Sequence, residues 1–252
     1  RGAAVRGLQT ENIRIWEELR NGQGKKERVE QKVENVIGYQ GVPLAIAAML
    51  DSSGSMKEMF SLGRLVAQDK MTIARNACKS FFETVFREGQ DRGLVSEFYF
   101  RPAYRSPDNQ KIVSATSLRI RQNWTPHLQE ILQGIEGIKR PGGATPLRDA
   151  VFGLTGHFGE LEGGFLRVVV LLSDGGDAGD PGPGEVLVNA HSLNAVISQL
   201  ENQQVLVFAV GLFRKPLTVD LNPKESDILE VMTEATGGQT FFEDNLSKLA
   251  DV

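Results

Sequence analysis

Three short apolar runs, Leu44–Leu50, Val168–Leu172 and Val205–Val210, punctuate an otherwise mixed chain. Each is too short for a typical helix, and the last two are rich in valine. They predict strands buried on both faces, as in a parallel sheet covered by helices. Between them the apolar period changes. Ile73, Ala77, Phe81 and Val85 recur at spacing four and fall on one helical face. Thr125–Ile138, Pro146–Phe158, Glu185–Leu200 and Ser226–Ala235 are further predicted helices. Strands alternating with helices imply an α/β sheet with right-handed crossovers. Gly93–Phe100 and Ala103–Val113, whose apolar positions are interrupted by polar ones, read as a strand pair near one edge of that sheet.

The chain before Gly38 has a different texture. Residues 11–34 are dense in charge around Asn21-Gly22-Gln23-Gly24, where the Asn-Gly step predicts a turn. Ile13 and Ile15 alternate with Arg14 before Trp16, as in a strand, while Ile13, Trp16 and Leu19 also fit a helical stripe. A second extended piece is expected over Val33–Ile37. Gly38 and Gly41-Val42-Pro43 then mark the entry to the main domain. The expected organisation is a charged appendage of short strands over residues 1–42, followed by one α/β domain over 43–252.

Composition narrows the classes. With 252 residues, 40% hydrophobic and 24% charged, the chain is globular and can bury a substantial core without covalent staples. Its single cysteine, Cys78, excludes an internal disulfide and a multi-cysteine metal site. Beside Ala77 and Phe81 it reads as a small core residue rather than a reactive thiol. A net charge of −4 argues against a dedicated nucleic-acid binder. The five basic groups and one Asp of residues 101–125 read as scattered solvent-facing charge. No apolar run approaches the roughly 20 residues that span a bilayer. The chain starts at Arg1 without a signal-like stretch, as expected of a processed or excised piece.

The candidate chemistry lies where buried strands end. Leu50 is followed by Asp51-Ser52-Ser53-Gly54-Ser55, and the crevice past a strand's carboxyl end is where open α/β sheets bind ligands. Asp51, Ser53 and Ser55 present only oxygen, which hard divalent cations require; Mg²⁺ takes about six such ligands. Alone the pattern is common, arising in roughly one chain in twenty of this length from average usage, and Ser53 or Ser55 would serve equally as a helix cap. Two further segments add weight. Gly142-Gly143-Ala144-Thr145-Pro146-Leu147 sets a hydroxyl in a glycine loop before a helix, although Thr145 as N-cap with Pro146 at the first helical position is also an ordinary helix start. Val168–Leu172 ends in Ser173-Asp174-Gly175, a second carboxylate past a second buried strand.

These three segments, in this order, resemble the D-x-S-x-S, G-G-x-T-P-L and S-D-G motifs of a von Willebrand factor type A (VWA) domain. The resemblance runs from about Pro43 to the C-terminus. Gly7-Leu8 and Glu11–Glu18 are similar, more loosely, to the segment preceding this domain in a bacterial VWFA-related branch, with Glu18-Leu19 standing where an Asp-Gly is usual. The resemblance implies a doubly wound, mostly parallel sheet flanked by helices. It also implies a metal-ion-dependent adhesion site at Asp51, Ser53, Ser55, Thr145 and Asp174, holding Mg²⁺, or Mn²⁺ or Ca²⁺. In that family the hydroxyls tend to bind the ion directly and one or both aspartates act through water. An ion so weakly neutralised attracts an Asp or Glu from a protein partner.

Other residues carry less. Asp177 and Asp180 lack the spacing of a calcium loop and read as turn carboxylates. Asp149 falls in a first helical turn, where its charge suits the dipole. His127, His157 and His191 form no zinc motif, Ser173 lacks the G-x-S-x-G context, and no phosphate loop is present. Met56, Met59 and Phe60 either rim the ion or are buried under the helix, and burial is the expectation. The function expected is a non-enzymatic, cation-dependent protein-binding module of a bacterial extracytoplasmic protein, with no nucleic acid and no membrane span in this segment. The alternatives are an intracellular regulatory subunit of a metal-insertion or ATPase-linked complex, and a metal-dependent phosphatase. The last needs D-x-D, whereas position 53 is Ser.

Overall fold

The computed structural model describes residues 15–20, 26–31, 41–60, 68–99, 104–105, 111–112, 118–139, 142–174, 191–212 and 226–242. The chain divides into two compact units, Arg1–Val42 and Pro43–Val252. In the first, β1 (Ile15–Arg20) pairs antiparallel with β2 (Lys26–Gln31), on either side of the Asn-Gly step. Of the two readings of Ile13–Leu19, the extended one holds over the described residues. The second strand begins at Lys26, earlier in the chain than expected; Val33–Ile37 lies outside the described residues.

The second unit runs β3 (Leu44–Asp51), the two-residue strands β4 (Met59–Phe60) and β5 (Gln68–Asp69), α1 (Lys70–Val85) and β6 (Arg92–Phe98). The short strands β7 (Tyr104–Arg105) and β8 (Lys111–Ile112), then β9 (Leu118–Thr125), α2 (Leu128–Glu136) and α3 (Leu147–His157) follow. The chain continues through β10 (Leu166–Ser173), α4 (Leu193–Asn202), β11 (Val205–Gly211), α5 (Ser226–Thr236) and β12 (Thr240–Phe242). Six strands form one sheet in the order β12-β11-β10-β3-β6-β9, parallel throughout except for β9.

All three apolar runs are strands of this sheet, and the alternation along β3 explains its central place. Leu44, Ile46, Ala48 and Leu50 face one core with Met71, Ala74, Cys78 and Phe82 of α1 and Ile131 and Ile135 of α2. Ala45, Ala47 and Met49 face the other, with Leu147, Val151 and Leu154 of α3, Val196 and Leu200 of α4 and Leu229 and Met232 of α5. Burying a Leu- or Ile-sized side chain contributes about 2 kcal/mol, so a strand apolar on both sides is drawn to the middle of a two-sided sheet. The fold is therefore α/β and doubly wound, as expected. The amino end of β3 is pinned by buried Asp91, whose Oδ1 accepts the Leu44 N–H at 2.8 Å while Arg87 pairs with both carboxylate oxygens. Burial would raise the Asp91 pKa, but the Arg87 guanidinium and these hydrogen bonds hold it below the usual carboxylate range.

Three expectations are corrected. The fully buried stripe of α1 is Ala74, Cys78 and Phe82; Ala77, Phe81 and Val85 pack at its margin, one residue step around the same helix. The partner of β6 is β9, not residues 103–113, which contribute only the small β7–β8 pair. Alternation of Leu118, Ile120 and Trp124 with Arg119, Arg121 and Asn123 makes β9 a half-exposed strand. The helix expected from Thr125 begins at Leu128, because that strand runs to Thr125. No helix among the described residues is long and apolar enough to cross a membrane.

One close approach gives a test of the packing. A Cβ on Gly238, just before β12, would lie 1.9 Å from the Val207 carbonyl oxygen of β11. Gly238→Ala is expected to destabilise the domain by about 3 kcal/mol, since backbone must move. Gly156→Ala, in α3 with open space around it, should instead stabilise by about 0.5 kcal/mol. Urea unfolding of both variants checks the pair, and equal effects would contradict the register of β12.

Candidate functional site

Two strands that are neighbours in the sheet end side by side. Leu50 of β3 stands next to Leu172 of β10, so Asp51 and Ser173-Asp174 emerge together at the carboxyl edge. The strand order reverses between β3 and β10, which makes this a switch-point crevice. Asp51 is fully buried. Its Oδ1 accepts the Ser53 N–H at 2.8 Å, and its Oδ2 accepts the Ser173 hydroxyl at 2.7 Å. The chain then enters a 3-10 turn, Gly54–Lys57, and the Ser53 and Ser55 hydroxyls lie 3.1 Å apart in a mutual hydrogen bond. Neither serine caps a long helix: α1 is capped by Asp69, which accepts the Thr72 N–H at 2.8 Å.

The glycine loop is tied to this turn through backbone. The Gly142 N–H donates to the Ser52 carbonyl at 2.7 Å, and the Gly54 N–H donates to the Gly143 carbonyl at 2.9 Å. Gly143 adopts φ +89°, a conformation that glycine holds without strain. Thr145 is buried just beyond this loop. Its reading as an N-cap is corrected: Pro146, which makes no side-chain cap hydrogen bond, occupies the cap position of α3. The three predicted segments thus meet. Asp51, Ser53, Ser55 and Ser173 connect by direct hydrogen bonds, and Thr145 enters through a loop held to the Asp51 turn.

Asp174 completes the set, with a side chain only 5% exposed. Its Oδ2 accepts the Lys70 ammonium at 3.0 Å, whereas its Oδ1 is buried with no hydrogen-bond partner among the described residues. The Ser52 hydroxyl is likewise buried and unpartnered. Lys70 also reaches Glu58 Oε2 at 2.7 Å. Burial disfavours its charge, but the two carboxylates outweigh burial and hold its pKa above the ordinary lysine value. Sequence reasoning missed Lys70, since its partner Asp174 lies 104 residues away. Burial raises the Asp51 pKa to about 7; hydrogen bonds from Ser173 and Ser53 oppose the shift, and the Asp174 charge adds to it.

The remaining candidates sort simply. Met56 is buried, as expected, whereas Met59 is 66% exposed; nothing is described of the Phe60 side chain. Asp149 accepts both the backbone N–H of His191 and a hydrogen bond with its Nδ1, and the His191 ring stacks on Phe152. Cys78 is buried, which pushes its thiol pKa well above the ordinary value. Gly175, Asp177 and Asp180 lie outside the described residues. Among the described residues no three His, Cys, Asp or Glu side chains gather as a metal-holding group; the constellation here has two carboxylates and three hydroxyls.

No family model matches the chain, and no curated protein matches it. Solved structures share the fold. The pilus adhesin SpaC of Lactobacillus rhamnosus GG superposes with a TM-score of 0.55 at 12% identity over 84% of this chain and 30% of its own. Proximal thread matrix protein 1 from the mussel byssus gives 0.52 at 17% identity over 83% and 44%. A D319A mutant of the PilB minor pilin of Streptococcus sanguinis gives 0.50 at 16% identity over 90% and 64%. The chain therefore spans less than half the length of the first two of these proteins.

The buried Asp51 yields a pH test with a defined sign. A carboxyl whose folded pKa, about 7, exceeds its unfolded value binds more protons when folded, so stability falls as pH rises from about 4 to about 7. In chelator, Asp51→Asn is expected to be more stable than wild type at pH 8, by an amount on the order of 4 kcal/mol at most. The difference should vanish near pH 4. Thermal unfolding at the two pH values reads it, and a pH-independent difference would contradict the burial of an ionisable group.

Proposed function

We propose that the second unit is a VWA-type protein-binding module that holds a divalent cation at Asp51, Ser53, Ser55, Thr145 and Asp174, and that it is not an enzyme. The observation that carries the reading is the unpartnered Asp174 Oδ1, buried beside an all-oxygen set at the switch point. An orphaned buried carboxylate oxygen is costly, and a hard cation is the partner such a donor set suits. Mg²⁺ is the proposed ion, with Mn²⁺ or Ca²⁺ as substitutes. Two carboxylates at most balance the charge of a divalent ion, and an aspartate acting through water balances it less, so the proposed partner is a protein presenting Asp or Glu at the remaining position. The fold is one that a pilus adhesin and a minor pilin also use. By that analogy the setting proposed is extracytoplasmic, in a bacterium; fold alone does not assign a function, and the weight falls on the site.

Calorimetric titration of chelator-treated protein with Mg²⁺ or Mn²⁺ is expected to reveal one site, absent in Asp51→Ala and weakened in Asp174→Ala. Unchanged binding in both variants would refute the assignment. For the partner, Thr145→Ala removes a hydroxyl without altering charge. Thr145 caps no helix but is buried, so the variant should lose about 1 kcal/mol of stability and stay folded while weakening capture of an acidic partner in Mg²⁺. Partner binding that is equal in Mg²⁺ and in chelator would place the interaction on another face.

A further inference from the structure

We infer that Lys70 is a tethered cation that competes with the divalent ion for Asp174, so that metal binding requires its ammonium to move onto Glu58. The inference rests on the metal reading proposed above. Its basis is the geometry around one nitrogen. Lys70 Nζ lies 3.0 Å from Asp174 Oδ2 and 2.7 Å from Glu58 Oε2. The two acceptors differ sharply: Asp174 is 5% exposed and Glu58 is 66% exposed. One carboxylate belongs to the buried oxygen set, and the other offers a solvated seat beside it.

The backbone fixes this arrangement. The Lys70 N–H donates to the Glu58 carbonyl at 3.1 Å, and Met59 pairs with Asp69 across the β4–β5 ladder. The Asp69 cap starts α1 at Lys70, with both Asp69 oxygens engaged by Thr72. Lys70 itself is buried, so its ammonium cannot simply dissolve into solvent when Asp174 is claimed by another charge. A divalent ion on Asp174 and an ammonium on the same carboxylate repel within a few ångströms in a poorly screened environment. Moving the ammonium fully to Glu58 relieves that repulsion and leaves it paired. In the metal-free protein, Lys70 supplies the positive charge that keeps Asp174 from being a bare buried anion. The ion must therefore displace something, and its apparent affinity is lowered by that competition.

The test uses the full chain, with Mg²⁺ and Mn²⁺ as probes. Calorimetry on Lys70→Met should show a dissociation constant at least roughly tenfold lower than wild type, within the usual range of coupling between linked sites. Lys57→Met removes an exposed charge on the neighbouring 3-10 turn and should change affinity by less than about threefold. Glu58→Gln, an exposed change that leaves folding intact, should weaken binding by trapping Lys70 on Asp174. In Lys70→Met the same Glu58→Gln change should lose its effect. Melting temperature gives a second readout: Lys70→Met should melt below wild type in chelator, with the gap closing or reversing at saturating Mg²⁺. Equal metal affinity in wild type and Lys70→Met would overturn the inference and leave the metal site standing. A Glu58→Gln effect that persists without Lys70 would also overturn it, since Glu58 would then act on the ion directly. Absence of metal binding in every variant would overturn the metal reading and this inference together, an outcome separate from the other two.

Discussion

A carboxylate at the end of a strand buried on both faces cannot be hydrated, so everything around it must answer its charge. Asp51 is such a group, placed by the apolar run Leu44–Leu50 at the centre of the sheet. The contrast with Asp91, at the other end of the same strand, is instructive. Asp91 is equally buried, yet a guanidinium and two backbone N–H groups meet it, and its acidity increases. Asp51 receives a backbone N–H and serine hydroxyls rather than a cation, among the described residues, with a second carboxylate close enough to raise its proton affinity. One end of β3 is electrostatically closed and the other is left short of positive charge. That asymmetry sets apart the carboxyl end of the sheet, where the candidate site lies.

The two-layered core makes this polarity possible. Helices α1 and α2 cover one face and α3, α4 and α5 the other, so the strand ends are the places where polar groups from three segments can gather. Two backbone hydrogen bonds tie the loops together, at Gly142–Ser52 and Gly54–Gly143, and side-chain hydrogen bonds join Asp51 to Ser173 and Ser53 to Ser55. Ser53, Ser55 and Thr145 cap no α-helix, and the first two bond each other through their hydroxyls.

Much of the fold was legible because two-sided burial writes itself as continuous apolar runs: Leu44–Leu50, Val168–Leu172 and Val205–Val210 are strands at nearly the predicted bounds. The site loops were legible for a related reason, since a carboxylate or hydroxyl immediately after such a run falls at the carboxyl edge of the sheet, where the crevice opens. What escaped was set by tertiary context. The alternating edge strand β9 was hidden by its arginines, one of which, Arg121, pairs with the buried Glu97. The buried stripe of α1 is displaced by one residue because a spacing of four, counted along a helix of 3.6 residues per turn, fits two adjacent rows equally. Lys70 left no local signal, for the first residue of a helix is an ordinary place for lysine and only the fold brings it to Asp174.

The margins of the sheet bear on how such a module can meet other chains. At one side, β9 runs antiparallel to β6 and carries the surplus residues at two register breaks, opposite Gly93–Val95 and Val95–Ser96, with Arg119 and Asn123 along it. At the other, the described part of β12 is three residues long. A charged, bulged border is a poor template for an incoming strand. Pairing of a further strand along β9 is thus disfavoured, which guards this flank of the sheet against edge-to-edge association.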